Sequence, residues 1–215
     1  MIKVAAFVFN GFSENTYLVW NDTKECVIID PGCSNAFEQQ KLTKFIEDSQ
    51  LQPVRLLNTH CHIDHVLGNA FIAEKYDLEL EIHQGELPVL AATPQIAMMY
   101  GVNYTPSPQP TAFLAAGDVV EFGDTKLNIL FTPGHSPASV SFYCEAEKWV
   151  IGGDVLFQNS IGRTDLPGGN MATLLQSIRT KLFPLGDDVV VYSGHGNPTT
   201  IGQEKVNNPF LNGQF

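Results

Sequence analysis

The alternation of apolar and polar residues along the chain predicts short strands interleaved with amphipathic helices. Strands are indicated in the first half by the runs Val4–Phe9, Thr16–Trp20, Cys26–Ile29, Pro53–Asn58 and Leu78–His83. In the second half the corresponding runs are Lys126–Phe131, Trp149–Ile151 and Val189–Tyr192. Apolar residues at helical spacing predict helices at Ala36–Ser49, Val66–Tyr76 and Met171–Leu182. This organisation fits two similar halves of a single domain, which we place at residues 1–215, rather than two domains.

The segment from Ala91 to Ala112 interrupts this pattern. It is rich in Pro, Tyr and Met, with Met98-Met99-Tyr100 in its first half and prolines at positions 106, 108 and 110 in its second half. Proline fixes φ and removes a backbone donor, which is typical of loops. We therefore expect a connecting loop near the functional cleft, whose side chains pack rather than bind a ligand.

Histidines are concentrated in one short segment. The six residues His60-Cys61-His62-Ile63-Asp64-His65 hold three of the six histidines of the chain and one carboxylate. Neutral imidazole nitrogens and carboxylate oxygens are ligands of Zn²⁺ and iron(II), and packing alone has no use for clustered histidines. The segment follows a predicted strand and precedes a predicted helix, so His60 and His62 can point the same way while Asp64 and His65 point elsewhere. One loop could thus serve two neighbouring metal ions.

Further ligand candidates share one local pattern, a strand followed by a glycine and then by a coordinating side chain. They are Gly134-His135, Gly153-Asp154 and Gly194-His195. Glycine allows tight backbone approach, so a side chain at a strand end can be aimed into a shared cleft. His83 lacks a glycine turn of this kind, and we interpret it as structural. Cys61 lies between two candidate ligands, where we expect it to turn away and pack.

Together these motifs resemble those of the metallo-β-lactamase superfamily, in the same order and over nearly the whole chain. The resemblance implies an α/β fold, a four-layered αββα sandwich with a dinuclear metal site at one edge. The residues that it assigns to one metal ion are His60, His62 and His135. Those that it assigns to the second ion are Asp64, His65 and His195, and Asp154 would bridge both. Asp64 would also have a catalytic role, because it would orient the nucleophile.

Two runs narrow the resemblance to a subfamily. Ser160–Gly169 and Gly194–Thr200 are similar to the short bacterial form of glyoxalase II, hydroxyacylglutathione hydrolase. This implies hydrolysis of a thioester such as S-lactoylglutathione with two divalent metal ions, Zn²⁺ first and iron or Mn²⁺ as alternatives. Persulfide dioxygenases share a similar Gly162–Asp165 run and use a single iron, so that oxidoreductase chemistry stays open. We expect Arg163 and Asp165 to brace this loop rather than to contact substrate.

Composition limits the partners. Twelve basic against 23 acidic residues give a formal net charge of −11, which argues against nucleic acid because phosphate binding rests on basic surface. No stretch is long enough to span a membrane, and Met1–Asn10 does not resemble a signal peptide. The four cysteines show no paired spacing, and we expect a cytoplasmic protein that keeps them as thiols. The partner that we expect is a small-molecule thioester substrate. Long glyoxalase II enzymes bind glutathione partly through a C-terminal extension that does not follow His195, so we expect weak discrimination among thioesters.

Overall fold

The computed structural model describes residues 1–213 of the chain. These residues divide into two compact units. The first comprises residues 1–114 and 121–126, and the second comprises residues 115–120 and the described residues from 127 onward. The single domain over residues 1–215 stays a prediction, and its last two residues lie outside the described part.

The first unit is built around a mixed β-sheet. Its strands, in the order in which they pair, are β1 (Lys3–Phe9), β2 (Glu14–Trp20), β3 (Glu25–Ile29), β4 (Gln52–Leu57), β5 (Leu80–His83) and β6 (Ala112–Leu114). The first three pair antiparallel, whereas β3 to β6 run parallel. Parallel strands end at one edge of a sheet, so the residues that follow β3 and β4 meet there. Those residues are Asp30 and Asn58, and the N–H of Asp30 donates to the carbonyl oxygen of Leu57 at 2.9 Å.

The helices of this unit are α1 (Ala36–Asp48), α2 (Ile63–Val66), α3 (Asn69–Tyr76) and α4 (Leu87–Tyr100). The predicted helix Val66–Tyr76 is divided into two, because the N–H of Gly68 donates to the carbonyl oxygen of Pro31 at 2.7 Å instead of continuing a helical ladder. As a result α2 is a separate turn, and this turn carries Asp64 and His65.

Apolar residues from the sheet and from α1 and α3 form the core of the first unit. Each of these side chains is at most 2 % exposed, and removing a side chain of this size from water stabilises the fold by about 1.5–3 kcal/mol. The central members are Leu18, Ile28, Leu42, Ile46, Leu56 and Ile72.

The prediction of a connecting loop at Ala91–Ala112 is wrong in its first half, which belongs to α4. Pro88 lies in the first turn of this helix, where no helical donor is needed. Pro94 lies inside the helix and has no N–H to donate to the carbonyl oxygen of Leu90. The hydroxyl group of Thr93 donates to that carbonyl instead, at 2.7 Å. The helix therefore tolerates Pro94 because a neighbouring side chain replaces the missing donor.

Another sheet forms most of the second unit. Residues 121–126, which connect its first two strands, belong to the first unit instead. The strands of this sheet are β7 (Val119–Phe122), β8 (Thr125–Phe131), β9 (Val140–Cys144), β10 (Trp149–Gly153), β13 (Val190–Ser193) and β14 (Thr199–Thr200), paired in the order β14-β13-β10-β9-β8-β7. A separate hairpin consists of β11 (Leu156–Phe157) and β12 (Ser160–Ile161). The helices are α5 (Met171–Ser177), which continues as a π-helical turn over Ile178–Leu182, and α6 (Ile201–Asn207).

Apolar residues of β10, β13 and the α5 region form the core of the second unit. Its fully buried members include Val150, Leu174, Ile178, Leu182 and Val191. The predicted helix Met171–Leu182 is confirmed in extent, with its last turn π-helical rather than α-helical. Within residues 1–213, no helix combines the length and the apolar character that crossing a bilayer requires.

Candidate metal centre

The first unit carries the histidine-rich segment between β4 and α2. The ring centroids of His60 and His62 are 4.8 Å apart, and those of His60 and His65 are 4.2 Å apart. His62 has an extended backbone, with φ −65° and ψ 153°, and α2 begins at the next residue. Asp64 and His65 therefore lie on a helical turn, whereas the first two histidines precede it, as the sequence predicts.

Asp64 and His65 place two coordinating atoms side by side. The Oδ2 atom of Asp64 lies 3.5 Å from the Nε2 atom of His65. Two ligand atoms that bind one Zn²⁺ at about 2.0–2.2 Å in tetrahedral geometry are about 3.4 Å apart. This pair thus has the spacing of two ligands of the same metal ion.

The buried carboxylate of Asp30 holds His65 and the start of the segment. Its Oδ2 lies 3.1 Å from Nδ1 of His65 and accepts the hydroxyl group of Thr59 at 2.6 Å, while its Oδ1 accepts the backbone N–H of Thr59 at 2.7 Å. A carboxylate only accepts, so the neutral imidazole carries its proton on Nδ1 and keeps the Nε2 lone pair for a metal ion. The ligand atoms of Asp30, His60 and His65 lie within 4.8 Å of one another. The donors that already occupy Asp30 assign it a supporting role rather than a coordinating one.

A buried amide network extends this support. Asn58 donates to Oδ1 of Asp30 at 3.3 Å and to the backbone carbonyl of His65 at 2.9 Å. The side-chain oxygen of Asn58 accepts from Asn69 at 2.8 Å, and Asn69 also donates to the hydroxyl group of Ser107 at 3.1 Å. Buried polar groups need partners, so these contacts fix the backbone at His65. Neither asparagine belongs to a ligand motif, so the sequence alone does not indicate this supporting role.

Two buried groups near the segment have raised pKa values. Burial raises the pKa of Glu14 well above its usual range, while the proximity of His65 acts in the opposite direction. Burial also raises the pKa of the Cys61 thiol, and the charge of Glu86 adds to this effect. Coordination needs a thiolate, so Cys61 packs in the core as a thiol, in agreement with the sequence interpretation.

His83 contacts its own turn. It ends β5, and its Nδ1 accepts the N–H of Gly85 at 3.0 Å, which caps the 3₁₀ turn Gln84–Glu86. Burial lowers the pKa of this imidazole, which favours the neutral form that can accept a hydrogen bond. This contact agrees with the structural role that the sequence predicts for His83.

The second unit brings together its own candidate ligands around one carboxylate. The Oδ2 atom of Asp154 lies 3.4 Å from Nε2 of His135 and 3.5 Å from Nε2 of His195. Asp154 is only 9 % exposed. Both separations match the spacing of about 3.4 Å between two ligands of one ion. One carboxylate oxygen thus stands between two imidazoles that come from different loops.

The backbone at the end of β10 aims Asp154. The parallel pairing of β10 with β13 shifts register between Ile151 and Gly153, and Gly153 has a φ of +53°. This left-handed conformation favours glycine, and the irregularity redirects the chain as a β-bulge does. The N–H of Gly194 donates to the carbonyl oxygen of Gly153 at 2.8 Å, which joins the loops of His195 and Asp154. At both loops a strand is thus followed by a glycine and then by the candidate ligand, and the ligand role itself stays a prediction.

A backbone carbonyl orients His135. Its Nδ1 lies 2.7 Å from the carbonyl oxygen of Arg163, which only accepts, so Nε2 is the nitrogen left to coordinate. The guanidinium group of Arg163 instead donates to both carboxylate oxygens of Asp165, at 2.7 and 2.6 Å. These hydrogen bonds lower the pKa of Asp165 to about 2. Arg163 and Asp165 therefore form a salt bridge within this loop, and it lies on an exposed surface.

The comparison that decides the family is with a profile of the metallo-β-lactamase superfamily, which matches residues 9–195. This range contains every candidate ligand described above. The chain belongs to the metallo-β-lactamase superfamily.

Relatives within the superfamily cover almost the whole chain. The chain is 42% identical to the probable metallo-hydrolase YqgX of Bacillus subtilis over 201 residues, which span 93% of this chain and 92% of that protein. It is 39% identical to the hydroxyacylglutathione hydrolase GloC of Haemophilus influenzae over 94% of each chain. These relatives support the hydrolase class that the sequence predicts.

Solved structures of the superfamily agree with this fold. The BLEG-1 B3 metallo-β-lactamase has a TM-score of 0.90 and 36% identity, covering 98% of this chain and 100% of that one. The di-iron-bound form of TTHA1623 has a TM-score of 0.87 and 36% identity, covering 96% and 100%. The α/β class and the metallo-β-lactamase fold are thereby confirmed. Family membership and the close grouping of His and Asp side chains support metal binding.

Proposed function

We propose that this protein is a dinuclear metal-dependent hydrolase that cleaves a thioester, with S-lactoylglutathione as the representative substrate. The observation that carries the proposal is the position of Asp154. Its Oδ2 lies 3.4 Å and 3.5 Å from imidazole nitrogens on two different loops. A carboxylate in that position is suited to bridge two ions, and paired ions are a common hydrolytic arrangement.

In this proposal His60, His62 and His135 would hold one ion. Asp64, His65 and His195 would hold the second, and Asp154 would be shared. Support comes from the superfamily profile, whose match covers all seven residues, and from the 3.5 Å separation of Asp64 Oδ2 and His65 Nε2.

The bound ions would lower the pKa of a water molecule to about 7 and would polarise the carbonyl group of the substrate. Residues of the chain prepare the ligands for this role. Asp30 holds the Nδ1 proton of His65, and the carbonyl oxygen of Arg163 holds that of His135, so both imidazoles bind in the neutral form. Asp64 would hold an ion and would orient the attacking water molecule.

A thioester suits a site of this composition. The thiol that is released has a pKa of about 8.5, so it leaves as a thiolate without protonation by a protein acid. The GloC relative, 39% identical over 94% of each chain, is a hydroxyacylglutathione hydrolase and supports this substrate class. We expect Zn²⁺ first, and the di-iron form of TTHA1623 supports iron as an alternative.

Elemental analysis of protein expressed without added metal, beside an assay panel, tests this proposal. We expect two ions per chain, and faster hydrolysis of thioesters than of lactams or phosphodiesters. One iron per chain together with oxidation of glutathione persulfide would establish the dioxygenase alternative. Two ions with no thioesterase activity would reject the substrate class.

Asp154→Ala tests the shared ligand. We expect metal content to fall towards one ion per chain and kcat/KM to fall by about a thousandfold or more, because several kcal/mol of electrostatic stabilisation depend on the pair of ions. Asp188→Ala is the matched control, since Asp188 is exposed and pairs with Lys148 at 2.6 Å, on the surface. Two tightly held ions in Asp154→Ala would contradict the dinuclear assignment.

A further inference from the structure

We propose that Glu86 is a positioning residue for the metal centre, because it fixes the peptide between His60 and Cys61 through the backbone N–H of Cys61. This inference rests on the metal assignment proposed above. It gives a role to a buried carboxylate that lies outside the ligand set and 25 residues from Cys61 along the chain.

The contact joins a side chain of one element to the backbone of another. Oε2 of Glu86 accepts the N–H of Cys61 at 3.0 Å, and both residues are fully buried. That N–H belongs to the peptide unit that connects His60 to Cys61. Holding it restricts the torsion angles on either side, and those angles set the directions of the His60 and His62 side chains.

Burying a carboxyl group carries a desolvation penalty unless hydrogen bonds offset it. The N–H of Cys61 supplies one such hydrogen bond, and the carboxyl oxygen of Glu86 in turn gives this buried N–H the acceptor that it needs. The contact depends on an acceptor oxygen and not on a charge, so a glutamine at this position can also make it.

The position of Glu86 is itself fixed. It closes the 3₁₀ turn Gln84–Glu86, which His83 caps through Gly85, and α4 begins at the next residue. This turn follows β5, which pairs in parallel with β4, the strand that leads into the histidine segment. Glu86 thus reaches Cys61 from the turn that follows the neighbouring strand of the same sheet. Such a fixed support is what keeps ligands in a productive geometry.

The test compares Glu86→Ala and Glu86→Gln with a matched control, Glu81→Ala. Glu81 is a buried glutamate on β5 whose carboxylate pairs with Arg55. Hydrogen exchange of the Cys61 amide in metal-free protein is the first measurement. We expect it to speed up at least about tenfold in Glu86→Ala and not in Glu81→Ala, because only the former removes the acceptor.

Metal affinity and the absorption spectrum of the Co²⁺-substituted protein are the second measurement. We expect affinity to fall by about 10- to 100-fold in Glu86→Ala with an altered spectrum, and to be largely restored in Glu86→Gln, whose amide oxygen can accept the same N–H. Because Glu86→Gln keeps the shape of the site, it remains informative if Glu86→Ala does not fold.

Three outcomes would overturn the inference. They are unchanged Cys61 exchange in Glu86→Ala, wild-type affinity and spectrum in that variant, or a Glu86→Gln protein as impaired as Glu86→Ala. If the wild type and Glu81→Ala bound fewer than two ions, the proposed function would fail instead. The amide exchange measurement would then still decide the role of Glu86.

Discussion

The two units hold their candidate ligands in opposite ways. In the first unit, four ligands lie within six consecutive residues, and side chains from other elements hold them in place. Asp30 bonds to His65 and Thr59, and Asn58 bonds to the carbonyl of His65. In the second unit, three candidate ligands come from three loops, and contacts with backbone atoms set their positions. The carbonyl oxygen of Arg163 is an example, since it accepts from His135.

The difference teaches how ligand spacing determines the kind of support a site needs. Candidate ligands that are adjacent on one loop move together with the backbone of that loop. Side chains from other elements must therefore hold each of them in place. Dispersed ligands already sit at the ends of paired strands, so a bulge or a close backbone approach is enough to aim them. Side-chain substitutions should therefore disturb the first unit more, and added backbone bulk should disturb the second unit more.

Acid should produce the largest effect, because it acts on both units together. Ligand imidazoles must be neutral, so protons compete with metal as the pH falls below the histidine reference pKa of about 6.5. We expect progressive loss of metal and activity between about pH 6.5 and pH 5, measured by elemental analysis of dialysed protein. Loss of activity while both ions stay bound would mean that another titrating group controls the rate.

The Arg163–Asp165 salt bridge should not contribute to this loss. The folded-state pKa of Asp165, lowered to about 2 from 3.8 by the hydrogen bonds from Arg163, means that its stabilisation is complete above pH 3.8 and is lost only as pH falls towards 2. The salt bridge should therefore be intact throughout the range in which metal leaves. A scan of metal content in Asp165→Asn should follow the wild type.

Gly162→Ala should produce the next largest effect, confined to the backbone-supported unit. A Cβ atom at Gly162 would lie 1.9 Å from the carbonyl oxygen of Asp154 and 3.1 Å from Cβ of His135. Relief of this overlap must move the backbone of a ligand, at a cost of about 1–3 kcal/mol or more in stability. Thermal unfolding and metal content measure it.

Gly152→Ala is the matched control for that substitution. Its added Cβ would meet only the side chain of Val191, at 3.8 Å, although it lies two residues from Asp154. We expect near-wild-type metal content there. Equal losses in the two variants would show that bulk near Asp154, and not the close approach at Gly162, is the cause.

Asp30→Asn should weaken the side-chain-supported unit by a smaller amount. The amide keeps the size of the carboxylate but weakens the acceptor for Nδ1 of His65, so metal affinity should fall by about 10- to 100-fold. Competition with a chelator of known affinity provides the measurement. Unchanged affinity would mean that His65 is oriented without Asp30.

Arg163→Ala should have the smallest effect, although Arg163 bonds to a ligand. The bond to His135 uses the backbone carbonyl of Arg163, which the substitution keeps, and the side chain contacts exposed Asp165. The loss of a fully exposed salt bridge changes stability little, because solvent screens both charges. A loss of metal affinity as large as that in Asp30→Asn would remove the distinction between the two units.

The sequence predicts the central strands of this fold, for physical reasons. Strand positions follow from short apolar runs, and the pattern of glycine and ligand marks where β10 and β13 end. The division of the helix at Gly68 was not predicted, because it depends on a hydrogen bond to Pro31 from a distant turn. The helix α4 was missed because Thr93 replaces the donor that Pro94 lacks.

The groups that support the ligands could not be found from the sequence. Asp30 lies 35 residues from His65, and Glu86 lies 25 residues from Cys61. These contacts exist only because β3, β4 and β5 run parallel and end at one edge of the sheet. The spacing of residues along the chain does not predict that strand pairing.

Anomalous diffraction from crystals of the metal-loaded protein tests the central claim most directly. We predict two peaks about 3.5–4 Å apart with Asp154 bonded to both. The histidine segment should contribute His60 and His62 to one ion, and Asp64 and His65 to the other. A single peak, or two peaks of which Asp154 binds only one, would contradict the account.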